Sequence, residues 1–245
     1  MSAGRSARAL NRVGLAFAVL LSSPALAAAE SVCYGTTANG RLENGVPLPA
    51  AGANFVSYGS IPETAGRTYV HSKVRDVIVD AYRRLEREQP GKVFKYAETG
   101  FRDGGRFKPH KTHRNGLSVD FVVPVTNGAG QVVHLLTHPF NKYGYGIEFD
   151  RTGHYDGYSI DYEALAAHIV ALDKSARARG VGIWRVIFDP QLAPNLYRTS
   201  HGDYLRANIQ IPGKASWVRH DEHYHVDFNV PCRSLASGRP ASAGQ

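Results

Sequence analysis

Three histidines fall within the six residues His220-Asp-Glu222-His223-Tyr-His225, preceded by Trp217-Val-Arg. On a β-strand alternate side chains share a face, so His223 and His225 would project side by side. Imidazoles held that close share a metal ion or a proton-transfer task. One strand cannot complete a metal site, but upstream lies His110-Lys-Thr-His113-Arg-Asn-Gly116-Leu-Ser-Val-Asp120. Gly116 lets the backbone turn sharply between His113 in a loop and Asp120 on a strand. Two imidazole nitrogens and a carboxylate oxygen suit a borderline ion such as Zn²⁺. The expected set is His113, Asp120 and His225, holding one Zn²⁺ per chain. Three protein ligands leave a position for water, as in catalytic rather than structural zinc sites. Taken separately, either motif is more often an ordinary core or surface histidine group. Their combination carries the expectation.

These residues need strands and helices to hold them. Val74, Val77, Ile78, Ala81, Tyr82 and Leu85 recur at helical spacing within a helix expected from Val70 to Glu88, stopped by Pro90-Gly91. A second helix is expected from Ile160 to Arg179, capped by Asp161 or Ser159 and ended by Gly180. Strands are expected over Lys92 to Ala97, Gly116 to Val123, Gly144 to Phe149, Val181 to Phe188 and His223 to Val230. In the second of these, Leu117, Val119, Phe121 and Val123 share one face, and Ser118, Asp120 and Val122 the other. Residues Gly35 to Gly66 read as irregular surface structure, and Thr99 to Pro109 as a Gly-rich loop. The pattern predicts an α+β domain whose central, mainly antiparallel sheet is flanked by helices.

The N-terminus reads as an address. Arg5, Arg8 and Arg12 precede the apolar run Val13 to Leu21, and Ala25-Leu26-Ala27 is a small-x-small cleavage pattern. Residues 1–27 are therefore expected to be a signal peptide, 28–234 the catalytic domain and 235–245 a disordered tail. A retained anchor is the alternative, although the apolar run is short for a bilayer. In an oxidising compartment Cys33 and Cys232 are expected to form a disulfide, the alternative being two unrelated buried thiols. The formal charge of +8 falls to about +5 without the leader arginines, a mild bias suited to an anionic polymer such as a cell wall. No basic run argues for nucleic acid, and no membrane segment is expected after the leader. The sequence assigns no oligomeric state.

Gly104-Gly-Arg106, the His110/His113/Gly116/Asp120 motif and the Trp217/His220/His223/His225 motif together resemble the penicillin-insensitive murein endopeptidases. More broadly they resemble the zinc peptidases grouped with lysostaphin, the D-alanyl-D-alanine peptidases and the hedgehog domain, whose fold the resemblance implies. It further implies a periplasmic enzyme of the Gram-negative envelope that hydrolyses D-alanyl-meso-diaminopimelyl cross-links of peptidoglycan without a serine nucleophile. By position, His113, Asp120 and His225 would hold zinc, and His223 would be the catalytic histidine. His110 and His220 would line the site, His220 binding an oxyanion or carboxylate when protonated. Trp217, Tyr143, Tyr145 and Tyr224 are groove walls or ordinary aromatics, and Asp227 orients a ligand or points to solvent. Glu222 complicates the picture, because Glu222-x-x-His225 also fits the E-x-x-H pattern of the related carboxypeptidases, in which the glutamate is the base. The alternatives are therefore a D,D-carboxypeptidase on uncross-linked stems, or a non-catalytic wall-binding module that keeps the zinc fold.

Overall fold

The computed structural model describes Met1 and residues 29–237. The expected leader (apart from Met1) and the expected tail beyond Ser237 lie outside the described residues, and Leu235–Ser237 forms a single 3₁₀ turn. Five strands form the central sheet: β1 (Phe55–Ser57), β2 (Phe94–Tyr96), β3 (Ser118–Val122), β4 (Gly182–Ile187) and β5 (His223–Asn229). Their spatial order is β4-β5-β3-β2-β1. Neighbours run antiparallel except β1 and β2, which are parallel. The protein is thus α+β, and its central sheet is mainly antiparallel as expected, mixed only through the β1–β2 pair.

Two helices, α1 (Ser72–Glu88) and α2 (Tyr162–Arg177), pack against each other and close one sheet face. Their first turns are capped where free N–H groups need acceptors. His71 Nδ1 accepts from Lys73 N–H at 3.1 Å, and Asp161 accepts from Ala164 N–H at 3.0 Å. The apolar spacing of α1 buries Val74, Val77, Ile78, Ala81, Tyr82 and Leu85. Val119 and Phe121 of β3 and Tyr224, Val226 and Phe228 of β5 meet this helical layer, none more than 2 % exposed. The period-two alternation sends Ser118, Asp120, His223, His225 and Asp227 to the opposite face. In register, His225 lies opposite Asp120, His223 opposite Val122 and Asp227 opposite Ser118. A slip of β5 by one residue would turn His223, His225 and Asp227 into the helix-packed core.

Two expectations differ from the structure. Gly144 to Phe149 is not a strand, because the amides of Tyr145, Gly146 and Ile147 turn back onto the carbonyls of Lys142, Asn141 and Gly144. Phe149 N–H is taken by the Asp221 carboxylate at 2.6 Å, which leaves no ladder to extend. The segment read as irregular holds β1 itself, with the Val32–Gly35/Gly40–Glu43 hairpin at its start. Such short strands carry too little alternation to be recognised.

Cys33 and Cys232 are disulfide-bonded across a separation of 199 residues, pinning that hairpin to the segment leaving β5. Closing so long a loop stabilises by up to about 5 kcal/mol in the chain-entropy model. Among the described residues no helix is long and apolar enough to cross a membrane.

His168 of α2 sits in the helical core among Phe94, Phe121 and Tyr224, where burial pushes its pKa down to about 3. An unfolded histidine titrates near 6.5. Stability from this group is therefore full above about pH 6.5 and is lost as pH falls toward 3, because only the unfolded chain takes the proton. The loss should reach the order of 4 kcal/mol. Unfolding free energies of wild type and His168→Gln from pH 7 to pH 4 check this. The wild-type curve should fall more steeply, and parallel curves would contradict the assignment.

Candidate metal centre

Asp120 is the hub of the polar face. It is 1 % exposed, and its backbone pairs with the next strand through Ala97 N–H to Asp120 O at 2.7 Å and Asp120 N–H to Glu98 O at 2.9 Å. Its Oδ2 lies 3.3 Å from His113 Nε2, and its Oδ1 lies 2.8 Å from His225 Nδ1. His113 stands in the left-handed region at φ 65°, and Gly116 at φ 75° completes the reversal that feeds β3. A Cβ at Gly116 would come within 2.7 Å of His71 N, so the sharp turn expected there needs glycine.

Hydrogen bonds assign the ring tautomers. His113 Nδ1–H donates to Thr99 O at 2.9 Å, so Nε2 carries a lone pair and faces a carboxylate oxygen, acceptor to acceptor. That Nε2 is buried with no hydrogen-bond partner, a costly arrangement that a cation between the two atoms removes. His225 Nε2 meets Asp227 Oδ1 at 2.8 Å, and Asp227 is itself held by Ser118 Oγ–H at 2.6 Å and Arg185 Nε–H at 2.7 Å. Asp227 therefore orients the ring and does not face solvent. A carboxylate–histidine pairing of this kind fixes the tautomer and orientation of the ring. Two imidazole nitrogens around one carboxylate fit a zinc-like divalent ion.

Charge follows the same geometry. Burial pulls His225 down, but the carboxylates of Asp227 and Asp120 outweigh it and push the ring up to about 10. Burial would raise Asp120, yet His113 and the neighbouring histidines hold it well below the usual carboxylate range. The cluster is built to enclose positive charge.

His110 enters this cluster more closely than a site-lining role implies. Among the described residues, His110, His113 and Asp120 each offer a ligand atom within 4.8 Å of the others. His110 Nδ1 stands 3.9 Å from Asp120 Oδ2, the oxygen that also faces His113. His225 reaches the other oxygen and is not one of that group of three. The Nε2 of His110 is bound by the carboxylate of Glu98, which also accepts from Arg67 Nε–H and, at 3.0 Å, from Tyr58 O–H. Burial acts to raise Glu98, but His110 and Arg67 hold it down to about 2.

At the head of β5, Glu222 Oε1 accepts from His223 Nδ1–H at 2.7 Å. Glu222 lies just outside the regular strand, so its side chain need not alternate away from its neighbour. Burial lowers His223, but Glu222 more than offsets this and its pKa is raised. A void of about 10 Å³ is bordered by Asp120, Tyr145, Glu222 and His223, about the room of one water. His220 packs on His223 at 4.6 Å between centroids, and its Nδ1–H donates to Val218 O at 2.9 Å. Burial, then His223, push its pKa down to about 3. The expected protonated anion binder is thus a neutral ring whose free nitrogen accepts.

Of the expected groove aromatics, Tyr224 is core, whereas Tyr143, Tyr145 and half-exposed Trp217 line a cavity beside the cluster. Sequence reading missed Glu98, Tyr58 and Arg67. The one signal among them was Glu98, an acidic residue two positions past the strand Phe94–Tyr96, and nothing in the spacing pointed to Tyr58 or Arg67.

A comparison with curated proteins returns no match. The family model described as penicillin-insensitive murein endopeptidase matches residues 33–241, a span that includes every element of the sheet and every residue of the centre. The chain belongs to the penicillin-insensitive murein endopeptidase family.

Proposed function

We propose that the protein is an exported zinc endopeptidase that hydrolyses D-alanyl-meso-diaminopimelyl cross-links of peptidoglycan in the periplasm, on a hedgehog/D-Ala-D-Ala-peptidase-like fold. His113 Nε2, one Asp120 oxygen and His225 Nδ1 are its metal ligands. The observation that carries the reading is the unpartnered, buried His113 Nε2 facing Asp120, opposite His225. A zinc-type ion held there supplies Lewis acidity, lowering the pKa of a coordinated water toward about 7 and polarising a carbonyl.

The chain's own residues do the rest. Glu222 holds the Nδ1 proton of His223, and His223 borders the small void, so Nε2 is the nitrogen assigned as general base. There Nε2 takes a proton from the attacking water and returns it to the leaving amine. Asp227 fixes the His225 ring, and Glu98 fixes that of His110. No serine nucleophile takes part, so penicillin has no group to acylate.

Digestion of cross-linked muropeptide dimers tests this. Zinc-loaded protein should release monomers, unaffected by penicillin and stopped by chelator. Dimers that persist, while uncross-linked pentapeptide stems lose their terminal D-alanine, would replace the endopeptidase reading with a carboxypeptidase one.

A further inference from the structure

A cavity of about 350 Å³ opens beside the metal centre, lined by Trp217, Tyr58, Tyr143, Tyr145, Lys142 and Glu98. It shares Tyr58, Glu98, Tyr143 and Tyr145 with the small void at His223, so a ligand seated in it adjoins the reacting atoms. Its aromatic walls suit an aliphatic body. Its charge is one-sided: the Glu98 carboxylate is taken up by Arg67, Tyr58 and His110. Lys142 Nζ makes no hydrogen bond or ion pair among the described residues. A second ammonium, on Lys111, stands 5.4 Å over the Trp217 ring at the same rim.

The backbone at Lys142 adds an independent observation. Lys142 (φ 53°, ψ 39°) and Tyr143 (φ 57°, ψ 32°) occupy the left-handed region in succession, where each L-residue costs about 1–2 kcal/mol. The Asn141 side chain enforces the turn, accepting from His138 N–H at 2.9 Å and Gly144 N–H at 3.2 Å and donating to Leu136 O at 2.8 Å. Glycine would relieve the strain at both positions. Strain retained next to a reactive centre, with side chains that glycine lacks, marks positions where those side chains are used.

We propose that this cavity is the subsite for the stretch of stem peptide flanking the scissile bond, and that Lys142 is its specificity-determining residue, pairing with a free carboxylate on that stretch. The proposal rests on the peptidase reading above. A charge-assisted bond in a partly desolvated cavity discriminates a carboxylate from the isosteric neutral amide, by roughly 10- to 100-fold.

The test crosses enzyme with substrate. Wild type, Lys142→Met and Lys142→Arg are assayed on muropeptide dimers with free carboxylates and on the same dimers amidated. Wild type should prefer the free acid at least about tenfold, chiefly through KM, Lys142→Met should bring the ratio close to one, and Lys142→Arg should keep a preference. A Lys142→Met enzyme that retains the wild-type ratio, or a wild type with no preference, overturns the proposal. If wild type cleaves neither dimer, it is the peptidase reading that fails. Calorimetric binding of the free-acid peptide to wild type and Lys142→Met then decides the lysine's role, equal affinities overturning it and weaker binding by Lys142→Met upholding it.

Discussion

Replacing Asp120 with Ala should lower turnover on cross-linked peptides by at least about a thousandfold and strip the protein of its ion. Both of its oxygens are committed, one toward His113 and one toward His225, so its removal dismantles the donor set from the centre. The fold should survive. The neighbours of Asp120 on β3 that pack on the helices, Val119 and Phe121, point to the other face, and the Cys33–Cys232 bond still closes the chain. Circular dichroism of the oxidised variant should match wild type. Activity within tenfold of wild type would show that Asp120 is no ligand.

His223→Ala and Glu222→Gln should separate by one to two orders of magnitude. General-base catalysis is worth about 10²–10⁴, and His223→Ala loses all of it. Glu222→Gln still presents an acceptor oxygen to His223 Nδ1–H at the 2.7 Å contact, but removes the negative charge that raises the ring's pKa. Its cost should be that of an orienting partner, roughly 10- to 100-fold. The order of the two kcat/KM values, measured on one dimer, checks the assignment. A Glu222→Gln enzyme as damaged as His223→Ala would make the carboxylate the base and bring the chain closer to the E-x-x-H peptidases.

The alternation that gathers the polar side chains on one face was legible in the sequence, and the edge of the sheet was not. The alternation Leu117-Ser118-Val119-Asp120-Phe121 and the H-x-H of β5 both have period two, and both put their polar partners on one face because the other must meet the helices. The two long helices were legible from their apolar spacing, Asp161 caps the second as expected, and the bounds differ by two residues at three of the four ends. The edge strand Phe55–Ser57 and the turn at Gly144 to Phe149 were not legible. The first is three residues long and the second is shaped by hydrogen bonds from distant residues, Asp221 among them. Glu222 reads as a rival to His223 from the E-x-x-H spacing, and spacing alone does not reveal that its carboxylate accepts from His223 Nδ1–H at 2.7 Å. The neutrality of His220 and the charge on Glu98 depend on burial and on neighbours that no spacing along the chain reveals.

The ligand set is the central claim, and the metal content of three purified variants tests it most directly. Inductively coupled plasma mass spectrometry on Asp120→Ala, His225→Ala and His110→Ala, each reconstituted with zinc and dialysed, counts ions per chain. Asp120→Ala and His225→Ala should emerge without zinc, and His110→Ala should keep one per chain. Zinc retained by His225→Ala and lost by His110→Ala would contradict the account and move the third ligand to His110.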